Sequence, residues 1–158
     1  MEGQGALHHP GYSGVTLALM HGACPRGLVL CHHQGRDRIR VSEDREGGPR
    51  IPALAELRLA YEAAASWVNP ASVVAASLNT LGLDAAAARS ACEAAERELG
   101  VPVTDPVRFG AVPLAEAIES FVDRGRRGPG SEARARREQA APKSGAGADR
   151  ETREGACG

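Results

Sequence analysis

Gly27-Leu28-Val29-Leu30-Cys31 decides the fold. A strand with one wet face alternates apolar and polar residues; an unbroken apolar run reads instead as a strand covered on both faces, the mark of a parallel sheet. Ser72-Val73-Val74-Ala75-Ala76-Ser77-Leu78 repeats that pattern, and Val101-Pro102-Val103-Thr104 supplies a short third strand. Helical spacing fills the gaps. Pro52 is expected in a first helical turn, where its missing N–H costs nothing, followed by Leu54, Leu57, Tyr61 and Ala64 on one face. Asp84 is expected to cap a helix that buries Ala88, Ala91/Cys92, Ala95 and Leu99 and stops at Gly100, with a surface Glu93–Arg97 pair. A short helix over Val15–His21, ended by Gly22, precedes the first strand. Pro113 opens a last helix with Leu114, Ala117, Ile118, Phe121 and Val122 turned inward. The expectation is an α/β domain, a parallel sheet with flanking helices, over residues 1–122. Residues 123–158 lose periodicity, are rich in Gly, Arg and Ala, and are expected to be a disordered basic tail.

Aromatic residues make up 3% of the 158-residue chain, so Leu, Val, Ile and Ala must build the core. The single lysine, Lys143, lies in the tail, which leaves residues 1–122 without a lysine for Schiff-base chemistry or phosphate binding. The net charge of −1 argues against nucleic acid as a partner. The charge is uneven: residues 1–123 carry 10 Arg against 15 Asp and Glu, whereas 124–158 carry 9 Arg and Lys against 5. The four cysteines form no Cys-x-x-Cys pair, which fits reduced thiols in a cytoplasm. No basic-then-apolar leader is visible, and no run approaches ~20 apolar residues, so no membrane association is expected.

In a parallel sheet, ligand loops lie at the strands' C-terminal ends. Four polar clusters fall there: Glu2-Gly3-Gln4, Cys31-His32, Asn79-Thr80 and Asp105. Glu2 is either a Mg²⁺ ligand or a solvated acid. Ser13 lies in a turn before a helix, where backbone N–H groups hold an anion more naturally than the hydroxyl acts as a nucleophile, because Gly-x-Ser-x-Gly is absent. His21, Cys24, Cys31 and His32 make a poor zinc set, since adjacent residues on a strand face opposite ways. The loop over residues 32–50 is long enough to carry function. Two of its alternating Arg36, Arg38 and Arg40 can clamp a carboxylate or phosphate from one side. Asn79 suits either a turn or a base edge. No Gly-x-x-x-x-Gly-Lys-[Ser/Thr] loop is present.

Glu2-Gly-Gln-Gly-Ala-Leu, His9-Pro-Gly-Tyr-Ser13-Gly-Val, Val29-Leu-Cys-His32, Ser77-Leu-Asn79-Thr80 and Leu99-Gly-Val-Pro-Val-Thr-Asp105-Pro-Val-Arg108-Phe-Gly resemble the C-terminal P-loop domain of DgcN-like proteins, a family that includes D-glutamate N-acetyltransferases. The likeness covers roughly residues 1–122. It implies an enzyme of D-amino-acid catabolism that acetylates the amine of D-glutamate, with acetyl-CoA as donor. By that resemblance Glu2, His9 and His32 carry acid/base or metal work, with Glu2 as the metal ligand. Arg36 and Arg40 are the candidate substrate-binding residues, for a carboxylate or a phosphate. Asn79, Asp105 and Arg108 would lie near the nucleotide-like part of the cofactor, and Gln4, Ser13 and Thr80 are further candidate cofactor contacts. The chain resembles the second half of that P-loop domain, so it is expected to be a fragment, inactive alone, that pairs with a chain supplying the P-loop half or with its own copies. The alternatives are an ATP- and Mg²⁺-dependent ligase or kinase related to dethiobiotin synthetase, and a non-enzymatic remnant that pairs with a partner.

Overall fold

The computed structural model describes residues 5–41 and 48–126. Glu2, Gln4 and the tail beyond Arg126 therefore lie outside the described residues. The element order is α1 (Ser13–Ala23), β1 (Gly27–His33), α2 (Leu54–Ser66), β2 (Ser72–Asn79), α3 (Ala85–Leu99), β3 (Val103–Thr104) and α4 (Val112–Arg126). The three strands pair in parallel in the order β1-β2-β3. Both apolar runs form parallel strands, but only β2 is covered on both faces; β1 buries Leu30 and leaves Val29 and Cys31 exposed, because it stands at the edge of the sheet. β2, in the middle, buries Val73, Ala75, Ala76 and Leu78, the last two at 1% and 0% exposure. A register shift between Leu28 and Val29 leaves Val74 without an opposite residue, a bulge in β2. β3 is two residues long because Pro102 and Pro106 stand on either side of it, and proline cannot donate to a ladder.

The core lies between this sheet and α2 and α3, where Leu30, Leu54, Leu57, Val73, Leu78, Cys92, Ala95, Leu99 and Val103 meet. α3 follows its expected pattern closely. Asp84 caps it by accepting from the Ala87 N–H at 2.8 Å, Ala88, Cys92, Ala95 and Leu99 are buried, and Gly100 closes it in the left-handed region at φ 65°.

Several boundaries differ from the sequence expectation. Pro52 stands before the cap of α2, Ala53, rather than within its first turn. α1 runs past Gly22 and stops at Cys24, which itself adopts φ 46°. The Glu93–Arg97 pair is not formed; among the described residues the ion pair is Arg58–Glu62, at 3.1 Å. Its Glu62 also accepts from the Val73 N–H, which anchors it where a fully solvated pair would have to pay for its own ordering. The inward face assigned to α4 is not buried. Leu114, Ala117 and Phe121 are half-covered, while Ile118 and Val122 remain 41% and 42% exposed. A three-stranded sheet with a two-residue edge offers α4 too little surface. α4 runs to Arg126.

Candidate functional site

The ends of the three strands form one rim. β1 and β2 run in step to His33 opposite Asn79, and the Gln34 N–H donates to the Asn79 carbonyl at 2.9 Å. The rim is then locked to β3. One oxygen of Asp105 accepts from the Thr80 N–H at 3.0 Å and from the Thr80 hydroxyl; the other accepts from the N–H groups of Val107 and Arg108 at 3.0 and 3.2 Å. Burial alone would raise the Asp105 carboxyl. The Thr80 hydroxyl and the three N–H donors outweigh that and hold it below the usual carboxylate range. Thr80 and Asp105 are both buried, at 0% and 3% exposure.

Internal bonds also occupy other candidate residues. Asn79 Oδ1 accepts from the Leu81 N–H at 2.9 Å, a turn-forming contact. Arg108 donates to the Leu83 carbonyl at 2.7 Å. Ser13 is the first residue of α1, and its N–H goes to the His9 carbonyl at 2.9 Å.

Beside the β1 end of the rim opens a cavity of about 260 Å³. Leu30, Leu57, Ile39 and Ile51 give it apolar walls, and His8, His9, His32, Arg36, Arg40 and Tyr61 bring polar groups to it. The long loop makes this possible by folding back on itself. Arg38 and Arg50 form an antiparallel bridge, Ile39 donates to the Pro49 carbonyl and Ile51 to that of Asp37, and Ile39 is buried. The alternation of the arginines then resolves as spacing implies. Arg36 and Arg40 line the cavity, while Arg38 donates to the Gly48 carbonyl at 3.0 Å. Gly48 has no alternative residue type, because a Cβ there would lie 1.8 Å from the Ile39 carbonyl oxygen.

His32 is half-buried at the cavity, and its ring makes no hydrogen bond among the described residues. Burial lowers its pKa first, the neighbouring His33 adds to that, Glu98 opposes it and Arg36 reinforces it. These neighbours bias the ring toward its neutral form, which can accept a proton. His9, by contrast, is engaged on both sides: Nδ1 accepts from the Gly11 N–H and Nε2 meets the Arg40 carbonyl, each at 3.1 Å. Tyr61, read from the sequence as part of an apolar helix face, also accepts from the Leu7 N–H at 3.1 Å and so pins the loop that forms the cavity's lip. Nothing in the spacing announces that role, nor that of Glu98, whose carboxylate accepts from the Ala55 N–H at the start of α2 and acts on His32 electrostatically. Among the described residues His8 Nδ1 is buried with no hydrogen-bond partner.

The sheet, rim and cavity lie within residues 1–115, which match the family described as "Domain of unknown function (DUF1611_C) P-loop domain". The chain belongs to this family. It is 40% identical to a DUF1611 family protein from Anabaena variabilis known from a crystal structure, with a TM-score of 0.68 over 75% of this chain and 34% of that one. It is 39% identical over 119 residues to a D-glutamate N-acetyltransferase of Tritonibacter scottomollicae, covering 75% of this chain and 34% of the relative. A D-glutamate N-acetyltransferase of a Pseudoalteromonas species is 39% identical over 111 residues, covering 70% and 32%. The chain thus spans about a third of the length of the relatives it matches. No helix among the described residues is long and apolar enough to cross a membrane.

Proposed function

We propose that this chain carries the acceptor side of an N-acetyltransferase acting on an acidic amino acid of the D-glutamate type, in the cytoplasm and in D-amino-acid catabolism. The observation that carries this reading is the placing of His32, whose ring makes no hydrogen bond among the described residues, in a small cavity also lined by Arg36 and Arg40. Neither guanidinium has a hydrogen-bond partner among the described residues. A dicarboxylate needs two cationic forks, and arginine supplies them in the geometry that carboxylates accept. An amine enters as an ammonium ion and is not nucleophilic until it loses a proton. His32 is positioned to take that proton, and its depressed pKa keeps it available to do so near neutrality. The family relatives carrying the name D-glutamate N-acetyltransferase agree with this chemistry.

The described residues do not fit the donor. Acetyl-CoA or ATP needs a phosphate cradle, and here Thr80, Asp105 and Asn79 are committed to internal bonds, while the described residues include no lysine. On this reading the donor is held by P-loop residues outside the described ones. The test combines the chain with the amino-terminal two-thirds of a relative, ¹³C-acetyl-CoA and D-glutamate, and follows product by mass spectrometry. Labelled N-acetylglutamate that disappears with His32→Gln is expected. Product formed only with ATP, or unaffected by His32→Gln, would overturn the reading in favour of a ligase or another base.

A further inference from the structure

We infer that His9 is a positioning residue, not the proton acceptor: its neutral ring links the N-terminal loop to the Arg40 backbone and so sets where Arg40 meets the substrate. The inference rests on the acceptor reading above for the task given to Arg40. A neutral imidazole has one donor and one acceptor nitrogen. Nδ1 accepts from the Gly11 N–H, so the proton sits on Nε2, which donates to the Arg40 carbonyl. Both nitrogens are then committed, and taking a substrate proton would break the Gly11 bond. The ring is further held against Tyr12, with centroids 4.6 Å apart. Its loop is secured elsewhere, since the Thr16 hydroxyl donates to the Gly5 carbonyl at 2.6 Å and Leu7 donates to Tyr61. On the far side of Arg40, Ile39 is buried and paired with Pro49. The Arg40 backbone is thus gripped from two directions, and the grip on the N-terminal side runs through one ring across 31 positions of sequence.

Two amide variants separate the two nitrogens. His9→Gln can place an N–H near the Nε2 position and keep the link to Arg40. His9→Asn can place an oxygen near Nδ1, keeping the Gly11 turn but falling short of Arg40. The readouts, on the full chain, are amide exchange at Ile39 and the Kd for D-glutamate by NMR titration. His9→Asn is expected to speed Ile39 exchange and raise the Kd, each by about tenfold, the scale of one hydrogen bond. His9→Gln is expected to stay close to the parent in both, and thermal melting confirms that both variants fold. Equal impairment in the two variants, or none in His9→Asn, overturns the inference. Faster exchange in His9→Asn alone, in a chain with no affinity for D-glutamate, upholds the link and instead removes the acceptor reading of the cavity.

Discussion

Asp105 grips Thr80 twice, by its backbone N–H and by its hydroxyl, across 25 positions of sequence. With Val107 and Arg108 on its other oxygen, this carboxylate fastens the end of β2 to the loop after β3. The sequence marks Asp105 as a ligand candidate because it stands at a strand end. The structure makes it the fastening that ties the end of β2 to the loop after β3.

Asp105→Ala is expected to cost about 3 kcal/mol, since it orphans buried donors as well as removing bonds. Asp105→Asn should be nearly as harmful, because its amide N–H₂ would face an N–H donor. The effect of pH follows from sign. The folded carboxyl titrates below its unfolded value of about 4, so its contribution is complete above that value and is lost as pH falls through the folded one. Chemical denaturation of parent and Asp105→Asn from neutral pH down to pH 3 should show the gap between them narrowing in acid. A constant gap would mean that the carboxylate's charge contributes nothing.

The His32 titration can be followed by NMR without any turnover. Its midpoint should lie below the ordinary histidine value of about 6.5. Removing a neighbour's charge moves it in a direction fixed by sign. Arg36→Gln removes a repelling cation and should raise the midpoint; Glu98→Gln removes an attracting anion and should lower it further. Shifts in the reverse directions would mean that the ring does not stand where it is described.

How much of this was legible in the sequence differs by link. Unbroken apolar runs at 27–31 and 72–78 gave the parallel strands, and Asp84 and Gly100 gave both ends of α3, because these signals are local. The rim was legible too, since parallel topology alone brings strand ends together. The split of the rim into a fastening half and a cavity half was not. Whether Asn79, Asp105 or His9 faces a ligand or its own backbone depends on hydrogen bonds closed by the fold, such as Asn79 to Leu81 or His9 to Arg40. The exposure of Ile118 and Val122 was equally hidden, because amphipathic spacing states which face of a helix is apolar and not how much surface exists to cover it.

Arg36→Gln and Arg40→Gln should each weaken D-glutamate binding by about tenfold or more, the range for losing a charge-assisted bond to a carboxylate. Arg38→Gln should leave it near the parent value, because Arg38 donates to the Gly48 carbonyl and does not line the cavity. Isothermal titration with D-glutamate, glutarate and D-alanine separates the two forks. Glutarate should bind and D-alanine should bind far more weakly. A chain that holds D-alanine as well as D-glutamate does not use two arginines for two carboxylates.

Gly48→Ala tests whether the folded-back loop builds the cavity. An added Cβ would lie 1.8 Å from the Ile39 carbonyl oxygen and 2.9 Å from Val41 Cγ2, and neither the backbone nor its partner strand can yield that much without separating. Ile39 then leaves its buried site and Arg40 moves with it, while the sheet and the rim are untouched. The expected signature is a loss of D-glutamate affinity as large as that of Arg40→Gln, with faster Ile39 amide exchange and the slow exchange of Ala76 on β2 retained. Affinity and Ile39 protection that both survive the substitution would show that the 38–50 bridge does not shape the cavity, and that Arg40 is held by His9 alone.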